Sequence, residues 1–370
     1  MKRSLNLYHK GFSLVEIMVG LAMGMIAMVV IMQVFAVFEG GKRSTTGGAD
    51  AQTNGAVALY MIERDLRIAG WGMESKVYSD CTTTYAYCDG SASCGGVVGA
   101  LGNLKTAVAI ITDGGSGPDT ITAQYFTNPN DANFRFPGST LLNTAMTLTT
   151  DKLNVMSLSG CKAGDLMLVK EPDGGKCTLM KITTMSHDDT TGLRLPHEST
   201  PAGEYNPPLD YMTTNNWPVY ANNSSVTCFS GSSTGGFIQH SYSINANHQL
   251  VREDNKAIAP EIFDLQARYG ISVPGSEDLD WVDATGPTWA NPTPADIKRI
   301  KALRIALLAR STQHEKPESG SCSTTTTDMA AKWSSWAVFN TAGYPEGWQC
   351  YRYKAYETIV PLRNIIMGES

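Results

Sequence analysis

One carboxylate sits where a carboxylate is costly. Glu16 is the only charged residue between Phe12 and Phe38, and Ile17–Met32 has no polar side chain. An acid inside such a run costs about 2.5–3.5 kcal/mol on membrane-insertion scales, so it calls for a partner of opposite charge. Lys10-Gly11-Phe12-Ser13-Leu14-Val15-Glu16 puts Glu16 at the fifth position after Gly11 and just behind a basic leader holding Lys2, Arg3 and Lys10. The arrangement predicts a cut before the apolar run and a charge pairing that only a second chain could complete.

Other candidate chemistry is thinner. Gly231-Ser232-Ser233-Thr234-Gly235 matches G-x-S-x-G by letters. A nucleophile elbow, however, joins a strand to a helix, and Phe237-Ile238-Gln239-His240-Ser241-Tyr242 after it reads as a strand. Glu277, Asp278, Asp280 and Asp283 could supply oxygen ligands to calcium, but they lack the EF-hand spacing. None of the six histidines stands in an H-E-x-x-H string, and no phosphate-binding glycine loop occurs. The residues therefore predict no enzyme, no metal centre and no cofactor. A net charge of −6 argues against a generally DNA-binding surface, so no nucleic-acid partner is expected.

The apolar run comes first among the elements that must position Glu16. Phe12–Phe38 is 27 residues long, enough at about 1.5 Å per residue to cross a hydrocarbon core of roughly 30 Å. That is too long for a secretory signal, and Val37-Phe38-Glu39-Gly40 is not a small-residue cleavage site. Basic residues before the span put the leader in the cytoplasm and the C-terminal body in the periplasm. Past the membrane, Gly40-Gly41 and Gly47-Gly48 predict bends or short breaks. From Ala49 a helical stripe of Leu59, Ile62, Leu66 and Ala69 returns, with Glu63, Arg64, Asp65 and Arg67 as the polar residues between and Gly70 as the stop.

Beyond that helix the chain reads as strands. Asp119–Phe126 alternates. Asp165–Lys170 and Cys177–Met185 flank the turn Pro172-Asp173-Gly174-Gly175, and Phe237–Ile244 and Gln249–Glu253 flank Asn245-Ala246-Asn247. Residues 71–103 read as a cysteine-bearing loop region, and 187–233 as a loop-rich insertion. Thr293-Pro294-Ala295-Asp296 starts a short helix to about Lys301, and strands follow around Leu303–Leu307 and Tyr356–Leu362, with Pro361 at an edge or end. Trp281, Trp289, Trp333, Trp336 and Trp348 are expected mostly in the core.

Eight cysteines on the exported side predict disulfides, with many connectivities open. Cys161–Cys177 across a hairpin and Cys322–Cys350 closing a late loop are expected. Cys81, Cys88, Cys94 and Cys228 are left to pair among themselves.

The string Lys10 to Glu16 resembles the signal of type IV prepilins. That resemblance implies that a prepilin peptidase cuts after Gly11 and methylates Phe12, and that Glu16 meets the N-terminal ammonium of a neighbouring subunit. Arg64-Asp65-Leu66-Arg67-Ile68-Ala69-Gly70, Phe263–Gly270, Ala302–Ser311 and Pro361-Leu362-Arg363-Asn364 resemble segments of PilW-type minor pilins. The similarity fades between about 71 and 250. It implies an α+β fold, a long pilin helix packed on a β-rich head. The parts would be a leader at 1–11, a membrane and assembly helix at 12–38, its periplasmic continuation at 39–70 and a disulfide-containing head at 71–370.

It further implies a non-enzymatic subunit that helps to initiate pilus assembly, in the inner membrane before assembly and in the extracellular pilus after it. Other minor pilins, the major pilin, the inner-membrane assembly machinery and a PilY-type tip adhesin would be its partners. A GspJ-like secretion pseudopilin shares the architecture. A membrane-anchored periplasmic binding or sensor protein is the alternative from another class, and it would keep its leader.

Overall fold

The computed structural model describes residues 11–71, 81–90, 108–126, 138–150, 152–172, 175–184, 186–188, 192–198, 205–230, 237–253, 255–315 and 320–367. The leader up to Lys10, Cys94, the string Gly231–Gly235 and much of the 71–103 region lie outside them.

A single α-helix, Leu14–Ile68, forms the spine. The breaks expected at the glycine pairs do not occur. No proline interrupts the segment, and glycine alone weakens a helix without ending it. Two of its glycines let the head come close. A methyl at Gly47 would lie 3.1 Å from Ser311 Cβ, and one at Gly55 would lie 2.2 Å from a ring carbon of Tyr356. The Tyr356 hydroxyl donates to the Gln52 carbonyl at 3.0 Å, which fixes that ring over the gap. Gly55→Val is expected to destabilise the head–spine packing by about 1–3 kcal/mol through overpacking. Thermal unfolding of the detergent-solubilised chain would register the loss, and Tyr356→Ala in the same chain should recover part of it.

Four sheets follow. One has the strand order Ala257–Pro260, Gln249–Val251, Phe237–Ile244, Thr120–Phe126, Ala109–Thr112. The C-terminal sheet runs Leu279–Asp283, Ile262–Ser272, Ile300–Arg310, Tyr353–Pro361. Pro361 ends an edge strand there, where a missing N–H does no harm. The helix at Pro294–Ile297 is shorter than expected, because the strand already begins at Ile300. Ile62, Leu66 and Ala69 of the spine are fully buried against Leu265, Tyr269, Leu303, Ile305, Val360 and Leu362 in one core.

The third sheet, Cys81–Tyr85, Gly175–Lys181, Leu166–Lys170, Ser225–Phe229, Gly138–Leu141, is covered on both faces. Leu166, Leu168, Cys177 and Leu179 point into the spine core. Met167, Val169, Met180, Val226 and Cys228 point into a second core, closed by Leu153, Val155 and Leu195 of a small three-stranded sheet. The twofold period of a strand thus sends neighbours to opposite sides.

That period corrects two disulfide expectations, the bond Cys161–Cys177 and the pairing of Cys81 and Cys228 within the remaining four. Cys161 and Cys177 belong to different cores, so they do not meet. Cys177 joins Cys81, with Cα atoms 5.6 Å apart, and Cys161 joins Cys228 at 5.3 Å. Cys322 is bonded to Cys350, and Cys88 is also disulfide-bonded.

The 187–233 stretch is not an insertion of loops. It holds the strand Gly192–Leu195, the helix Leu209–Thr214 and the strand Ser225–Phe229, which lies inside the third sheet. The apolar residues of this last strand, Val226, Cys228 and Phe229, are few and sit beside Asn222-Asn223-Ser224, which masks them in the sequence.

The tryptophans also depart from expectation. Trp289 packs on the spine core, but all five are only half-buried, and the fully packed tryptophan is Trp217. Trp333 and Trp348 cluster with Tyr344 and Tyr353 on the connection that crosses the outer face of the C-terminal sheet. Trp336 lies under Arg268 and Arg304 of the same face.

Candidate assembly site

The first turn of the spine brings the predicted residues together. Ser13 caps the helix, and its hydroxyl accepts from Val15 N at 3.2 Å. Glu16 reaches back, and its Oε2 accepts from Ser13 N at 3.4 Å. This reciprocal box satisfies two N–H groups that a helix start otherwise leaves open. Gly11 and Phe12 precede it in extended chain, so the backbone at the expected cut is outside the helix. Phe12 is 82% exposed and Phe38 72%, with apolar side chains exposed along the whole interval. The segment is long and apolar enough to cross a membrane, and its surface finds no cover among the described residues.

At the other end of the spine lies a cluster that composition and motif reading missed. Asp65 is fully buried. His240 Nδ1 lies 2.5 Å from Asp65 Oδ2, and the Tyr242 hydroxyl donates to the same oxygen at 2.5 Å. Arg64 Nε donates to Oδ1 at 2.9 Å. Because a carboxylate only accepts, the facing imidazole nitrogen carries a proton. Burial pushes the Asp65 carboxyl up, but hydrogen bonds from His240, Tyr242 and Arg64 outweigh it and hold it below its ordinary value. The signal was present in the sequence. Asp65 falls at i+3 from Ile62 and directly before Leu66, on the edge of the apolar stripe.

The spine's last carbonyls are closed from the far end of the chain. Asn364 Nδ2 donates to Ile68 O at 3.3 Å and Ala69 O at 3.0 Å. Gly70, at φ +78°, then turns the chain, and its N–H bonds Gln124 O.

The remaining candidates lie elsewhere. Asp283 pairs with Arg268 across neighbouring strands, and Asp278 and Asp280 belong to the same exposed hairpin region. His240 is the histidine that the fold draws into a network, and it serves the helix junction.

Residues 7–32 match the model of the prokaryotic N-terminal methylation motif. Residues 232–364 match that of type IV pilus-assembly protein W. The chain is thus similar to that protein over its C-terminal third and to prepilins at its N-terminus. No curated protein and no solved structure matches it. The PilW match spans the C-terminal sheet, His240, Tyr242 and Asn364, the residues that seat the spine. It leaves out the disulfide-bonded third sheet. Motif and apolar helix together resemble those of membrane-anchored pilins, and the C-terminal match is to a pilus-assembly protein.

Proposed function

We propose that this PilW-type chain is a minor pilin that helps to initiate pilus assembly and sits at the fibre tip. The observation that carries the reading is the spine itself. Its apolar surface is uncovered by the described residues from Phe12 to Phe38 and the single acid of that interval stands in the first turn, while a PilW-like head grips its other end. Like helices can take up that surface without exposing it to water, since in lipid association rests on packing and on pairing polar groups. Cleavage after Gly11 would place an ammonium on Phe12, one residue before the cap that Glu16 already closes. A neighbour shifted along the fibre would bring its own ammonium to the same carboxylate. Opposite charges in a low-dielectric bundle attract strongly only at short range, so the pair selects one axial register.

Three measurements test this. Gly11→Ala should leave a precursor heavier by its eleven-residue leader on intact-mass analysis; a mature mass in that variant would refute processing at this bond. Immunogold labelling of the head should decorate fibre ends, and a deletion strain should lose most fibres. Label spread along the shaft, or fibre numbers unchanged by deletion, would overturn tip placement or initiation respectively.

A further inference from the structure

Two adjoining cavities open at one end of the head, of about 730 Å³ and about 400 Å³. Asp113 and Thr285 line both, so they form one cleft. We propose that this cleft binds a neutral saccharide unit.

The floor is apolar, made by Ile110, Ile111, Ala284 and Pro292 with the ring of Tyr269. Around it stand Thr112, Asp113, Ser116, Thr285 and Asn291, all exposed. Their side chains make no hydrogen bond or ion pair with the described residues. An apolar floor suits the C–H face of a pyranose. Short hydroxyls, an amide and a carboxylate offer the mixed donors and acceptors that sugar hydroxyls require.

Other ligand classes fit less well. Arg268, the cation on the cleft wall, is paired with Asp283 through two hydrogen bonds, and that lining carboxylate offsets the charge a phosphate would seek. Asp113 is the lining carboxylate without such a partner, too few for a divalent cation. An extended peptide would add to the outer strand Ala109–Thr112, but the Ile111 N–H on that side already donates to the Tyr269 hydroxyl at 2.7 Å.

The walls are built rather than loose. Buried Asp119 accepts from Gly114 N at 2.9 Å and Ala267 N at 2.8 Å. Gln266 Nε2 donates to Gly117 O at 3.0 Å, and Asn340 Nδ2 to Ser116 O at 3.2 Å. The turn bearing Asp113 and Ser116 is thus tied to the C-terminal sheet and to the connection above it. A methyl at Gly114 would lie 2.2 Å from Pro118 O, so the turn is closed tightly on itself. Opposite, Trp289 packs against Tyr269 and under Arg299, which anchors the segment that carries Thr285 and Asn291. Preorganised walls lower the ordering cost of binding.

The full chain in a zwitterionic detergent without a sugar headgroup, probed on a printed array of neutral and amino-sugar glycans, tests the inference. Saturation-transfer NMR with the best array hit then reads affinity. Binding is expected, and Asp113→Ala or Asn291→Ala should weaken it about tenfold or more, the loss of a single good hydrogen bond. Both residues are exposed, so the variants should keep the wild-type melting profile. Asp210→Ala, away from the cleft, should bind as the wild type does. The inference is overturned if no glycan binds, or if binding is undiminished in both cleft variants. It does not depend on the assembly reading, and fibre counts would not move with it.

Discussion

A chain carrying Glu16→Ala is expected to enter the membrane, lose its leader and then be absent from assembled fibres. Removing the acid relieves the insertion cost of about 2.5–3.5 kcal/mol, so anchoring should improve if anything. Assembly should fail because no carboxylate remains to meet a neighbour's ammonium. Alanine alone is ambiguous, since Glu16 also closes the capping box with Ser13. Glu16→Gln separates the two roles. Glutamine can return the same hydrogen bond to the Ser13 N–H but brings no charge. Loss of fibre incorporation in both variants, read by quantitative immunoblotting of sheared fibres against membranes, would support charge pairing. Normal incorporation of the glutamine variant would show that the helix cap is what matters and would remove Glu16 from the proposed register.

Asp65→Ala is expected to cost about 3–5 kcal/mol, the usual penalty for breaking a buried, hydrogen-bonded charge cluster from one side. The Tyr242 hydroxyl and the His240 ring would then face a void beside the spine. Combining Asp65→Leu with His240→Leu and Tyr242→Phe should recover much of the loss, because an apolar replacement leaves no orphaned group. The pH dependence has a definite sign. The folded carboxyl of Asp65 lies below its ordinary value, so the stabilisation is complete above about pH 4 and disappears as pH falls through the folded value. Melting temperatures of wild type and Asp65→Ala should converge below about pH 4. A gap that stayed constant down to pH 2 would mean that the carboxylate's charge contributes nothing.

Both ends of the chain were legible because their signals are local. Glu16 stands out against an unbroken apolar run, and Leu303, Ile305 and Leu307 alternate as a strand must. The middle was less legible, since its sheet is assembled from segments as far apart as Cys81–Tyr85 and Ser225–Phe229. Which face a cysteine takes depends on strand register, so Cys161 and Cys177 looked like hairpin partners although they belong to opposite faces. Asp65 reads as one of the polar residues between the stripe positions; its place on the stripe's edge marks it, but nothing near it in the sequence announces His240 and Tyr242 across 175 and 177 positions. Gly47 could not be recognised as a contact point rather than a break without Ser311 in view, and Gly55 gave no signal without Tyr356.

Much of the seat of the spine is supplied by the end of the chain. Ser311 faces Gly47, Thr312 bonds Asp50, Tyr356 covers Gly55 and Asn364 closes the final carbonyls. During synthesis the N-terminal rod therefore emerges hundreds of residues before its cradle does. A ribosome that stops early releases a product whose rod has an apolar flank with nothing to lie on. Such a fragment should be a ready substrate for proteases.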